Sequence, residues 1–93
     1  MDKFKFYNDP GHGWLRVPKK LLAELGIADK ITGYSYMSRT YAYLEEDCDA
    51  TTFHNAYKAK LNIPDLKFDD YTENCYEDGY SHVRYYPAYE ADK

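Results

Sequence analysis

Twelve of the 93 residues are tyrosine, whereas valine occurs twice and isoleucine three times. A chain so poor in β-branched aliphatics has to build its interior from leucine and aromatic rings. Some of the tyrosines must therefore be core. Tyrosine suits a half-covered position, because a large rigid apolar body carries a hydroxyl at its tip. The same property makes an exposed tyrosine a good anchor at a protein interface. The twelve divide between these two roles, and the sequence leaves the role of each one open.

The length fits one domain, residues 1–93, because two halves would be too small to bury separate cores. The chain ends are expected to fray. No run of about 18 apolar residues is present, so no membrane-spanning helix is expected. The opening Met1-Asp2-Lys3-Phe4-Lys5-Phe6 reads as a strand rather than a secretory leader. A cytoplasmic location is the default, and Cys48 and Cys75 are then expected as reduced thiols. The net charge of −4 hides an asymmetry: residues 1–43 carry +3 and residues 44–93 carry −7. The acidic half should repel nucleic acid and attract basic partners, while also keeping a tyrosine-rich surface soluble.

Phe4 and Phe6 alternate with lysines, which predicts a strand. Asn8 to Gly13 is a Pro- and Gly-rich turn, and Trp14 to Val17 a second strand. Pro18 opens a helix from Lys19 to Leu25, which Gly26 stops, with Ile27 packing back. Ile31–Met37 and Tyr41–Leu44 are predicted as a hairpin around Ser38-Arg39-Thr40, with Tyr34 and Tyr36 on one face of the first arm and Tyr41 and Tyr43 on one face of the second. Asp49 is the expected N-cap of a helix reaching about Leu61, with Phe53, Ala56, Tyr57 and Leu61 as its apolar stripe. Lys67-Phe68 starts a short strand, residues 69–79 are turn-rich, and Tyr80–Tyr86 alternates as a last strand. The order is β-β-α-β-β-α-(β)-β, an α+β domain with a mainly antiparallel sheet and two helices.

Few patterns carry chemistry. Cys48 with His54, and Cys75 with His82, lack the close spacing of structural zinc ligands, so no metal or cofactor is expected. Asp47-x-Asp49-x-Thr51 begins like a calcium loop but lacks its Gly and closing Glu, and a helix cap explains the acids. Asp9 and His12 share a glycine-rich turn in which the carboxylate could orient the imidazole as a general base. No nucleophile lies near them in sequence, so a small enzyme using His12 stays an alternative and no catalytic residue is assigned.

Gly13-Trp14-Leu15-Arg16-Val17-Pro18-Lys19-Lys20-Leu21-Leu22, with Leu25-Gly26-Ile27 and Asp29-Lys30-Ile31, resembles the strand–Pro–Lys–helix unit of AbrB-like swapped-hairpin transcription factors. That resemblance implies an intertwined DNA-binding dimer with Arg16, Lys19, Lys20 and Lys30 as its cations. The same segment is also ordinary helix punctuation, and the acidic remainder of the chain opposes phosphate binding. Over residues 5–60, Tyr7-Asn8-Asp9-Pro10-Gly11-His12-Gly13-Trp14-Leu15, Leu25-Gly26-Ile27, Tyr34-Ser35-Tyr36 and Tyr43-Leu44-Glu45-Glu46-Asp47-Cys48-Asp49 resemble small proteins of phages and mobile elements. That likeness implies an accessory protein that blocks a host defence complex, of the anti-CRISPR or anti-restriction kind.

The expected function is thus a non-enzymatic interaction module. Its partner would be a host protein with a basic nucleic-acid-binding surface, without direct nucleic-acid or membrane contact, and a homodimer stays open. The expected contact surface is Tyr34, Tyr36, Tyr41 and Tyr43 with Glu45, Glu46, Asp47 and Asp49, because tyrosine anchors and negative charge together suit a basic groove. A second such stretch holds Tyr71, Tyr76 and Tyr80 with Asp69, Asp70, Glu73, Glu77 and Asp78.

Overall fold

The computed structural model describes residues 2–93. Five strands form one mixed sheet: β1 (Phe4–Asn8), β2 (Gly13–Pro18), β3 (Tyr36–Met37), β4 (Tyr41–Glu45) and β5 (Thr72–Tyr76), in the spatial order β3-β4-β2-β1-β5. Three pairings are antiparallel, and β1 with β5 is parallel. Two helices, α1 (Lys19–Glu24) and α2 (Asp49–Leu61), complete an α+β fold.

β2 is the central strand, and its alternation sorts the two faces. Leu15 and Val17 join a core with Leu22, Leu44, Phe53, Tyr57 and Tyr71 on the helix side. Trp14 points the other way, into a cluster with Tyr43 and Val83. Alternation along β4 does the same, since Ala42 and Leu44 lie in the first cluster and Tyr43 in the second.

α1 follows the extended Pro18, whose φ of −61° is preset for a helix start. It ends in a Schellman motif. Gly26 takes φ +72°, Gly26 N–H donates to the Ala23 carbonyl at 3.1 Å and Ile27 N–H donates to the Leu22 carbonyl at 3.0 Å. α2 buries Ala50, Phe53 and Tyr57, while Leu61 is exposed. The apolar stripe thus lies one turn nearer the N-terminus than predicted. Phe53 and Tyr57 stack at 5.0 Å, and Phe4 and Tyr71 close on them edge-on.

The last third differs most from the sequence reading. Phe68–Asp70 and His82–Tyr85 are short 3₁₀ turns rather than strands, and the strand lies between them at 72–76. β5 was hidden because Thr72-Glu73-Asn74-Cys75-Tyr76 carries no apolar alternation; it is an edge strand, recruited by parallel pairing to β1. After it the chain forms a strap. Residues 81–86 cross the face opposite the helices, and the strap then reaches the far edge of the sheet. There Met37 N–H donates to the Pro87 carbonyl at 2.9 Å and Tyr89 N–H donates to the Ser35 carbonyl at 2.8 Å. Tyr89 is buried, with its hydroxyl donating to the Ala28 carbonyl at 2.7 Å. These bonds hold the C-terminal segment as far as Tyr89; at the other end, Met1 lies outside the described residues.

The twelve tyrosines split evenly. Tyr43, Tyr57, Tyr71 and Tyr89 are buried; Tyr7, Tyr36, Tyr41 and Tyr86 are half-buried; Tyr34, Tyr76, Tyr80 and Tyr85 are exposed. No helix among the described residues is long and apolar enough to cross a membrane.

Candidate functional site at the end of β4

The strap leaves one end of the sheet uncovered, and there the turn between β1 and β2 meets the end of β4. Trp14 pairs with Glu45 in the ladder, and Glu46 N–H donates to the Gly13 carbonyl at 3.0 Å. His12 lies just before β2, and Asp47 lies in the turn that follows β4. The imidazole of His12 and the carboxylates of Glu45 and Asp47 have donor atoms all within 4.8 Å of one another. Gly13 is required for this approach, because a Cβ there would sit 2.3 Å from the Phe6 ring and 2.9 Å from the Glu46 carboxylate.

Beside these donors lies an open cleft of about 200 Å³, lined by His12, Trp14, Tyr34, Tyr36, Glu45 and Arg84. Tyr34 is 78 % exposed at its rim. Burial pushes the Glu45 carboxyl above its ordinary pKa, and the nearby charge of Asp47 adds to the shift, while His12 opposes it.

Two buried carboxylates hold the walls in place. Asp49 is fully buried and does not cap its own helix; Cys48 occupies that position. Asp49 instead accepts hydrogen bonds from the Thr32 backbone N–H, from Thr32 Oγ1 at 2.8 Å and from Ser35 Oγ at 2.5 Å. Ser35 Oγ in turn accepts from Glu45 N–H at 2.9 Å. This chain ties the loop bearing Tyr34 to the start of α2 and the end of β4. Asp9 does the same for the opposite wall. It accepts the backbone N–H groups of Gly11, His12 and Ser81, and two bonds from Arg84 at 2.7 and 2.9 Å. The Arg84 guanidinium foremost, with those three N–H groups, holds the Asp9 carboxyl far below the usual carboxylate range. Arg84 also lies 5.0 Å from the ring centres of both Trp14 and Tyr80.

Of the eight residues expected at the contact surface, Tyr34, Tyr36, Glu45 and Asp47 gather at this end, with Glu46 exposed next to them. Glu46 turns to the other face, toward a larger cleft of about 370 Å³ with Phe6, Ala50, Thr51, His54 and Phe68. That cleft is mostly apolar, and the His54 Nδ1 is already engaged by the Tyr71 hydroxyl at 2.6 Å. Tyr43 and Asp49 are buried and offer no surface to a partner. Burial, with the stacked Tyr86, pushes the Tyr43 hydroxyl up to about 12. Tyr41 is half-buried and lies under Arg16, whose guanidinium is 4.3 Å from its ring centre. In the second predicted stretch Tyr71 is buried core, whereas Tyr76 and Tyr80 are exposed.

Sequence reasoning missed His12, Trp14 and Arg84 as companions of Glu45. Only the pairing of β2 with β4 and the return of the strap bring them together. The general-base pairing of Asp9 with His12 does not form, since the Asp9 carboxylate takes the backbone N–H of His12 and not its imidazole. Cys48 and Cys75 are both free thiols. Among the cations named for DNA contact, Arg16 packs on tyrosine rings, Lys19 Nζ donates to the Arg39 carbonyl at 3.2 Å, and Lys20 and Lys30 are exposed.

No family model matches this chain, and neither a curated protein nor a solved structure is significantly similar to it.

Proposed function

We propose that this protein is a non-enzymatic interaction module that docks its Tyr34–Tyr36–Glu45–Asp47 end on a basic protein surface. The observation that carries this reading is the juxtaposition, on one uncovered end, of a 78 % exposed tyrosine, an aromatic-walled cleft and two acidic side chains, Glu45 and Asp47. Exposed aromatics beside carboxylates suit Arg and Lys side chains, which pair with the charge and stack on the ring. A basic groove that normally holds nucleic acid presents such side chains in quantity. A small acidic protein seated there would act as an inhibitor, and a host defence complex of the CRISPR or restriction type is the partner class proposed.

The test is an affinity capture from bacterial lysate with mass spectrometry, run in parallel with a Glu45→Lys, Glu46→Lys, Asp47→Lys variant. A nucleic-acid-handling protein should be captured by the wild type, displaced by rising salt and lost with the variant. Capture unchanged by charge reversal removes the acidic end from the reading. Salt-sensitive retention of the wild type on DNA would favour the swapped-hairpin, DNA-binding alternative instead.

A further inference from the structure

We propose that His12, Glu45 and Asp47 bind a divalent first-row transition ion, with zinc foremost. The inference does not rest on the partner reading above. It starts from the ladder. Glu45 is the last residue of β4 and pairs with Trp14, so His12, just before β2, and Asp47, in the turn after β4, come to the same end of the ladder, where one nitrogen and two oxygen donors gather. Donors about 2.1 Å from a common tetrahedral ion stand about 3.4 Å apart. The observed donor atoms lie within 4.8 Å of one another, and His12 and Asp47 are exposed, which leaves room for their side chains to close on an ion.

Among the described residues the ion pairs are Arg84 with Asp9 and His82 with Glu77, so neither Glu45 nor Asp47 has a Lys or Arg partner. Arg84 lines the same cleft, but its charge is committed to Asp9 through two hydrogen bonds. The backbone under the donors is fixed by the Glu46–Gly13 hydrogen bond and by Asp9, which clamps the His12 turn. An imidazole in the set favours zinc, cobalt or nickel over magnesium and calcium, which prefer oxygen alone. Three protein ligands leave at least one coordination position open to water or to a group from outside.

Isothermal titration calorimetry of the chelator-stripped protein with zinc chloride tests this. One saturable site is expected, weakened at least about tenfold by His12→Ala and by Asp47→Asn, and unaffected by Cys48→Ser, His54→Ala or His82→Ala. Circular dichroism should show each variant folded. In the wild type, zinc should shift the His12 imidazole resonances ahead of those of His54 and His82, which reads the site without any substitution. Absence of saturable binding overturns the proposal, as does binding lost with Cys48→Ser or His82→Ala while His12→Ala retains it. Equal affinity for magnesium overturns the transition-metal assignment.

Discussion

The two faces of the sheet are closed by different physics. On the helix side, Phe53 and Tyr71 are fully buried, and rings of Phe4, Tyr57 and Phe68 surround them at 5.0–6.2 Å. On the strap side, Trp14, Tyr43 and Val83 form a smaller cluster, and polar fasteners hold its cover. Arg84 grips Asp9, and Glu77 accepts from Ser81 Oγ at 2.5 Å and from His82 Nδ1 at 2.9 Å. Apolar closure is indifferent to protonation, whereas closure by carboxylates is not. The strap side is also the incompletely covered one, and the candidate site lies where its cover runs out.

The largest effect is expected on the helix side. Phe53→Ala should destabilise by about 3–5 kcal/mol, measured by urea unfolding, and by the same amount at pH 7 and pH 3. Asp9→Asn should come next, at about 3 kcal/mol at pH 7, because it leaves Arg84 part-buried without its partner. Its pH dependence separates the faces. The folded-state pKa of Asp9 lies below its unfolded value, so the stability it contributes is complete above about pH 4 and is lost as pH falls. Glu77 shifts in the same direction: burial opposes it, but the bonds from Ser81 and His82 prevail. The gap between wild type and Asp9→Asn should therefore shrink below about pH 4, while the Phe53→Ala gap stays flat. Parallel behaviour of the two variants would break the distinction.

How far the sequence disclosed this arrangement follows the same division. β1, β2, α1 and its Gly26 cap were legible, because each is written in local periodicity and punctuation. α2 was legible in extent, but Asp49 was misread: an acid before a helix looks like a cap whether its carboxylate bonds its own helix or a loop 17 residues away. The strap was illegible. Tyr80–Tyr86 alternates like a strand, yet the edge of β5 lies elsewhere, and the Asp9–Arg84 bond that fixes the segment spans 75 residues. Tyr34, Tyr36, Glu45 and Glu46 stood out by composition. His12 stood out only as a candidate general base beside Asp9, because nothing local ties a turn histidine to acids more than 30 positions on.

Two smaller effects sharpen the comparison on the strap itself. Tyr86→Ala removes the ring stacked on Tyr43 at 4.8 Å and should cost about 1.5 kcal/mol. His82→Ala should cost less than about 1 kcal/mol, since the imidazole is 46 % exposed and Glu77 keeps its bond from Ser81. Its readout is local. The amides of Val83, Arg84 and Tyr86 bond within the strap's own turn, and hydrogen exchange there should quicken in His82→Ala while amides of α2 and β4 keep their protection. Faster exchange confined to residues 81–89 would mean that the strap opens as a unit of its own, above a sheet that stays closed on its helix side. Such opening would widen the cleft at Trp14 and Tyr36 without unfolding the domain. Equal acceleration across α2 would mean that the two faces open together, and the fasteners would then be holding the whole fold.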